Sequence, residues 1–504
     1  MPETKVPMPA RSSETSRYTE TERKFDVVES AVSPSFDGLT AVSRVERSAS
    51  QSLDAVYYDT ADHDLARHRI TLRRRTGGTD AGWHLKLPAG PDSRTEVRAP
   101  LEEGTPVHPQ VPDSLRDVVL AIVRERGLAP VARISTSRSV QMLYGPDGSA
   151  VAEFCDDQVT ASAVDGEEQQ WREWELELTE GADRDLFKPL TRRLLDAGAR
   201  PAGHGSKLAR VLGSGDGSDS PAALSDPVHR AVAEQVAALI EWDRAVRSDV
   251  YDSVHQMRVA TRKIRSLLQS SEGAFGISDD HWVLAELREL AGVLGVARDA
   301  EVLAERYQRA LDGLPESNVR GPVRERLVEG AQKKYQTGWK RSLAAMRSPR
   351  YFHLLDALEA LVTAEPPPPA PGEERADVTI DSAYKRVRKA AKKARAAAEE
   401  QDEHVDEALH RIRKRAKQLR YTAAATGQGK VADRAKSIQT LLGDHQDSVV
   451  SRSHLSRQAE LAHAAGEDTF TYGLLYQQEH DLALRCEVQV EDALEALHKA
   501  VRKA

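Results

Sequence analysis

The chain has 504 residues, too many for one hydrophobic core, so two or three domains are expected. With 79 Asp+Glu against 71 Lys+Arg the formal net charge is -8, which excludes a protein basic throughout; the 2 cysteines, Cys155 and Cys486, exclude a disulfide scaffold or a Cys-based zinc site. Aromatic residues are 5%, too few for a base-stacking platform; no apolar run reaches the length of a membrane span, and the polar start argues against a secretion signal and for the cytoplasm.

Residues 1–16 read as a polar, disordered tail. Next comes Glu20-Thr21-Glu22-Arg23-Lys24, which as a strand puts Glu20, Glu22 and Lys24 on one face. Two carboxylates held that close repel each other. A hard divalent cation such as Mg²⁺ removes the repulsion, and Lys24 beside it can hold a phosphate bound to the same ion. The competing reading is a solvated strand face in a chain that is 30% charged. Further strands are expected at Val56 to Thr60, at Ile70 to Arg75 with Gly82 to Leu87 as its partner across Gly77-Gly78, at Arg94 to Arg98, Arg133 to Leu143, Ala150 to Val159, and Trp171 to Leu178. Helices are expected from Ser114 to Arg126 and from Leu186 to Ala197. One face of these strands collects both signs of charge: Arg73 and Arg75; His84 and Lys86; Arg94, Glu96 and Arg98; Glu153, Cys155 and Asp157; Glu173, Glu175 and Glu177. The other face carries residues such as Leu72, Leu85, Phe154, Trp174 and Leu176. A closed barrel with a charged lumen and an apolar exterior accounts for this better than a sheet with one face in water.

Residues 213–226 read as a flexible linker, after which the periodicity is helical to the end. Helices are expected at Val228 to Val250, Val254 to Leu268, His281 to Leu294, Ala300 to Leu311, Val323 to Met346 and Tyr351 to Val362. A Pro-rich connector follows over 365–376, then helices from Asp381 to the end, broken near Gly427 to Gly429, Gly443 and Gly466. The halves, about 227–363 and 377–504, look like a repeat. His255, Arg258, Arg262, Lys263 and Arg265 in the first are echoed by His410, Arg413, Lys414, Lys417 and Arg420 in the second; Leu294-Gly295 with Asp299 is echoed by Leu442-Gly443 with Asp447. At roughly 100° per residue the shared positions, His followed by Arg at +3, Arg or Lys at +7 and Arg at +10, fall within an arc of about 80° on each helix. Like charges stacked this way destabilise a helix unless an anion lies against them, and the run from Lys385 to Arg395 adds to the positive density. DNA, RNA and linear polyphosphate all fit such a face. Nothing in the sequence resembles a recognition helix, so nucleic acid is the weaker candidate.

Residues about 17–212 resemble the CYTH superfamily, the triphosphate tunnel metalloenzymes, which include adenylate cyclases, thiamine triphosphatases and inorganic triphosphatases. The resemblance rests on Glu20-x-Glu22-x-Lys24, Leu72-Arg73-x-Arg75, Lys86, the strand from Glu153 to Asp157, Glu175-x-Glu177 and Ser206-Lys207. Residues about 227–504 resemble the CHAD domain, on the doubled His-x-x-Arg helix and the doubled Leu-Gly turn. The first resemblance implies an eight-stranded antiparallel tunnel that binds a triphosphate with Mg²⁺ or Mn²⁺. Glu20, Glu22, Asp157, Glu175 and Glu177 would hold metal, and Lys24, Arg73, Arg75, Lys86, Arg138 and Lys207 would hold phosphate, with Arg133 an alternative to Arg138. Glu20, Glu22 and Lys24 are the expected catalytic residues. The second implies two four-helix halves that bind inorganic polyphosphate through the ten doubled His, Arg and Lys positions; His255 and His410 would touch phosphate or pin their helices to Asp299 and Asp447. The expected activity is hydrolysis of inorganic tripolyphosphate, with a non-catalytic polyphosphate binder, an adenylate cyclase or a thiamine triphosphatase as alternatives. The expected place is the cytoplasm, at polyphosphate granules within it, away from membranes.

Overall fold

The computed structural model describes residues 16–90, 92–102, 104, 109–213, 227–270, 275, 281–364, 380–400 and 405–503. The expected tail up to residue 15, the linker from 214 on and the connector at 365–376 lie outside the described residues; Ser16 already belongs to the first strand.

Alternation in the N-terminal half produces β1 (Ser16–Val27), β2 (Arg44–Arg47), β3 (Gln51–Asp59), β4 (Thr71–Thr76), β5 (Gly82–Gly90), β6 (Ser93–Ala99), β7 (Ala129–Tyr144), β8 (Ala150–Ala163), β9 (Gln169–Leu178) and the short β10 (Arg200–Pro201). Eight strands run antiparallel in the order β1-β6-β5-β4-β3-β7-β8-β9, and β9 pairs back onto β1. The barrel is thereby closed, with β2 added to β7 and β10 to β1. The β4–β5 hairpin turns through Gly77 and Gly78, at φ +79° and +71°; a Cβ on Gly77 would stand 2.2 Å from the Ser52 carbonyl oxygen, so only glycine fits.

Among the described residues five α-helices accompany the barrel: α1 (Asp64–Arg67), α2 (Asp113–Val118), α3 (Leu120–Val123), α4 (Phe187–Asp196) and α5 (Lys207–Val211). The expected helix from Ser114 to Arg126 is thus two short ones, interrupted at Val119. The barrel is inverted relative to a soluble sheet with one wet face. Its apolar side chains point outward, where Phe25, Phe154, Trp174 and Leu176 pack under Leu190 and Leu194 of α4. Charged side chains such as Glu22, Lys24, Arg138 and Glu175 point inward.

The C-terminal half contains α6 (Pro227–Arg247), α7 (Ser253–Ser270), α8 (Trp282–Asp312), α9 (Gly330–Ala345), α10 (Pro349–Thr363), α11 (Ile380–Glu399), α12 (Val405–Ala425), α13 (Gly429–Ala464) and α14 (Phe470–Val501). Two compact units divide the molecule. One holds the barrel with α6, α7, the start of α8 through Arg288, and α10; the other holds the rest of α8, most of α9, and α11 to α14. In the first unit α10 is tied to the barrel's helical corner, where Arg124, 4% exposed, meets Asp356 and reaches Glu359 at 2.6 Å. The second unit's core gathers Val387, Ile412, Leu419, Ile438 and Leu497.

Two expected breaks do not exist. Helix α8 runs on through Gly292 and Gly295, and α13 through Gly443, so the Leu-Gly motifs lie within helices rather than at turns. A single glycine costs a helix only about 1 kcal/mol relative to alanine, which packing readily offsets. Breaks do occur at Gly427 and Gly466, whose φ of +72° and +73° end α12 and α13. Gly338 of α9 lets that helix touch α8: a Cβ there would stand 2.8 Å from the Ala297 amide nitrogen. Gly338→Ala should therefore destabilise the protein by ~1–3 kcal/mol, read as a lower urea midpoint with an unchanged slope, because backbone rather than a mobile side chain must move.

Candidate active site

The inward faces enclose a cavity of about 260 Å³. Strand register builds it in rows. Glu22 lies opposite Glu177, and Glu177 opposite Glu153, so three carboxylates span β1, β9 and β8. Two positions along, Lys24 opposes Glu175; beyond that, Arg138 opposes Asp157, which opposes Glu173. On the far wall Glu20 opposes Arg94, Lys86 opposes Glu96, and Arg73 lies between Tyr57 and His84. Arg133 and Asp156 fall on the outer face by the same alternation; Asp156 there binds Arg172 at 2.7 Å.

Charges taken from water must be paired to be tolerated. Lys24 Nζ lies 2.7 Å from Glu22 and 2.8 Å from Glu175. Lys207 Nζ, at the start of α5, lies 2.9 Å from Asp157 and 2.7 Å from both Glu173 and Glu175. Arg138 grips Asp157 with two nitrogens, at 2.8 and 2.6 Å, and reaches Glu175 at 2.5 Å. Lys86 lies 2.5 Å from Glu20, Arg73 donates to the Tyr57 hydroxyl at 3.3 Å, and Arg75 pairs with Asp80. Burial opposes the charge on Glu175, but Lys207, Lys24 and Arg138 hold its carboxyl well below the usual range. Burial opposes the charge on Lys207 too, and Asp157, Glu173 and Glu175 lift its ammonium well above the usual range. Glu22, despite burial, is held at about 2, chiefly by Lys24 and Lys86.

Glu177 behaves in the opposite way. Burial, then Glu20, push its carboxyl up to about 7 against the pull of Lys86, with Glu22 and Glu153 adding to the rise. Neither Glu177 nor Glu153 has an ion-pair partner among the described residues; Glu153 receives only the Cys155 thiol, at 3.1 Å. Like charges set opposite each other on neighbouring strands are destabilising, so this row is short of positive charge. Its donors, with Glu20, are the carboxylate oxygens that Mg²⁺ or Mn²⁺ takes, and the residues fit such an ion. Asp157, Glu173 and Glu175 also bring carboxylate oxygens within 4.8 Å of one another, a spacing that suits a cation, and Lys207 supplies one there. Of the residues expected on metal, the structure thus pairs Glu20 with Lys86 and Glu22 with Lys24, leaves Glu177 without an ion-pair partner among the described residues, and places Asp157 and Glu175 among Arg138, Lys24 and Lys207.

All six residues expected on phosphate line the lumen, as do Arg94, Arg98, Glu96, Glu153, Asp80 and Tyr57, which the expectation omitted. Four of these share an alternating run with residues already singled out: Arg94, Glu96 and Arg98 lie on one strand face, and Glu153 shares the face of Asp157. Asp80 sits in a turn and Tyr57 in an apolar run, where the sequence carries no such signal. Among the described residues the lining holds eight Lys/Arg and seven Asp/Glu side chains, an excess of one positive charge. That excess alone cannot neutralise a triphosphate; a divalent cation on the carboxylate row makes up the difference.

In the helical region His255, Arg258 and Arg265 of α7 are half-buried, while Arg262 and Lys263 are exposed. On α12, His410 and Lys414 are exposed, and Arg413, Lys417 and Arg420 are half-buried. Arg413 lies across Gly443, where a Cβ would stand 3.2 Å from its guanidinium, and Arg420 donates to Gln439 at 3.2 Å. Burial, then Lys414 and Arg413, lower His410 from its ordinary value. Asp447 is raised by burial, with Arg306 and Arg413 opposing. No helix among the described residues is long and apolar enough to cross a membrane.

The family model for the CYTH domain matches residues 19–198, and that for the CHAD domain matches residues 230–456. The uncharacterized proteins Rv2226 and MT2285, from Mycobacterium tuberculosis strains H37Rv and CDC 1551, are each 64% identical over 515 residues, covering 99% of this chain and 100% of their own. The crystal structure of the CHAD domain from the plant Ricinus communis is similar at 22% identity and a TM-score of 0.40, covering 53% of this chain and 90% of its own. The chain belongs to the family of proteins in which a CYTH domain is followed by a CHAD domain.

Proposed function

We propose that the barrel hydrolyses inorganic tripolyphosphate with a divalent metal ion and that the helical region binds inorganic polyphosphate. The observation that carries the first part is the meeting in one lumen of a carboxylate row, Glu22–Glu177–Glu153, of which Glu177 and Glu153 have no ion-pair partner among the described residues, with a wall of Arg73, Arg75, Lys86, Arg94 and Arg98. Glu20, Glu22 and Glu177 would hold Mg²⁺ or Mn²⁺, which when bound neutralises phosphate charge and polarises the phosphoryl group. The remaining work falls to the protein. Arg73, Arg75 and Lys86 orient phosphate oxygens along one wall, and Lys24 and Lys207 exchange a carboxylate partner for phosphate. Closed strands wall the lumen off on its sides, and phosphoryl transfer needs mainly this positioning and charge stabilisation. Among the described residues the lining is mostly charged, with Met142 and Leu178 its aliphatic members and the Tyr57 hydroxyl engaged by Arg73, so an inorganic triphosphate suits it better than ATP. The test is orthophosphate release from tripolyphosphate with Mg²⁺ or Mn²⁺, with ATP in parallel and cyclic AMP measured. Release from tripolyphosphate is expected; cyclic AMP without it would make the protein a cyclase.

For the helical region the supporting observation is the α12 face, where Arg413, Lys414, Lys417 and Arg420 follow one another at helical spacing. Arg413→Ala with Lys417→Ala should weaken polyphosphate retention and reduce the slope of log affinity against log salt, because fewer counterions are released. Unchanged retention and slope would take this face out of the binding site.

A further inference from the structure

The lumen is charged along only part of its length. Past Glu173 its inward positions turn apolar, with Ala55, Ile134, Val159, Ala161 and Trp171 lining that end. Leu208 and Val211 of α5 lie among them, 1% and 6% exposed, and fill the barrel there. The plug is fastened. Arg210 binds Asp26 at 2.8 Å with its guanidinium 4.6 Å from the centre of the Trp171 ring, and the Ala202 amide donates to the Lys24 carbonyl at 3.0 Å. Solvent reaches the charged part from the opposite end. The side chains of Arg98 and Asp80 there are each 34% exposed, against 7% for Glu173 and 0% for Asp157 beside the plug.

A floor of apolar side chains does not pass a hydrated polyanion, because nothing in it replaces the lost water. We infer that the lumen is a blind pocket that accepts linear polyphosphate only by a free chain end, entering from the Arg98–Asp80 side, so that chains are shortened from the terminus and neither threaded nor cut internally. This rests on the triphosphatase reading and extends it from tripolyphosphate to longer chains. In the step, a water oxygen bonds to the terminal phosphorus and the last P–O–P bridge breaks on that side. The bridging oxygen leaves with the shortened chain, and the proton lost by water passes to solvent. A chain of n phosphates and one water thus become a chain of n−1 and one orthophosphate. A ring has no end to offer, and a chain esterified at both ends presents a bulkier, less charged terminus.

The test uses the full chain with Mg²⁺ and four substrates: tripolyphosphate, a long linear polyphosphate, the same polyphosphate capped at both ends by alkyl esters, and cyclic trimetaphosphate. Products are resolved by length at early times. The expected result is orthophosphate from the two uncapped linear substrates, the long chain moving down one phosphate at a time, with ring and capped chain persisting. Mid-length fragments at early times, cleavage of the ring or the capped chain, or an intact long chain beside hydrolysed tripolyphosphate would overturn the inference and leave the triphosphatase reading standing. No orthophosphate from tripolyphosphate would overturn that reading, and the inference with it.

Discussion

Glu22→Gln should cut tripolyphosphate hydrolysis by about 100-fold or more, the scale of losing one preorganised electrostatic contact in a phosphoryl or acyl transfer site. Shape is kept and one negative charge removed, so the loss belongs to charge rather than packing. Two readouts separate this from a general perturbation. Glu22 is expected on the metal, so the variant should need more Mg²⁺ for half-maximal rate. The second readout comes from Glu177, held at about 7 by burial and by Glu20, with Glu22 contributing. A proton on Glu177 competes with a cation for the same oxygens, so metal affinity should fall as pH drops through about 7. Without the Glu22 charge the Glu177 carboxyl moves down toward its ordinary value, and the acid limb of the variant's metal-binding profile should move to lower pH. An unshifted limb would mean that Glu22 and Glu177 do not share a metal.

Strand alternation is the part of this molecule most legible in the sequence, because a period of two survives any local detail. It separates Arg138 from Arg133 and Asp157 from Asp156, and it puts Glu173, Glu175 and Glu177 on one face. Register is not written in that period. That Glu22 faces Glu177 while Lys24 faces Glu175 depends on how β1 closes onto β9, a long-range pairing that no single strand encodes. The consequence is chemical: pairing gives Glu175 three cations and leaves Glu177 without an ion-pair partner among the described residues, so two residues of one Glu-x-Glu run hold opposite charge environments. The plug was equally hidden. Leu208 and Val211 look like one side of any short helix until the barrel closes around them. Gly443 misleads for another reason: glycine marks either an end or a close approach, and only packing, here against Arg413, decides between them.

Lys207→Met should be the more severe change for the fold, because the methionine keeps most of the volume and withdraws the ammonium from Asp157, Glu173 and Glu175. Removing one member of a buried charge cluster costs about 3–5 kcal/mol when the others stay ionised. The loss at pH 7 should therefore appear as a lower urea midpoint, alongside weaker tripolyphosphate hydrolysis. The pH dependence identifies the cause. In the wild type the Glu175 carboxyl is depressed well below 4.5, so its contribution to stability is complete above that value and is lost as pH falls through its lower folded value. In the variant Glu175 loses its strongest partner, its folded value rises, and protonation relieves the repulsion at a milder pH. The gap between wild type and variant should be widest near pH 7 and narrow as pH falls below about 4.5. A double variant with Asp157→Asn should regain part of the loss, since one of the unpaired charges is gone, although Arg138 loses a partner in exchange. A gap that stays constant with pH, and a double variant no better than the single, would mean that Lys207 acts through the packing of α5 and not through its charge.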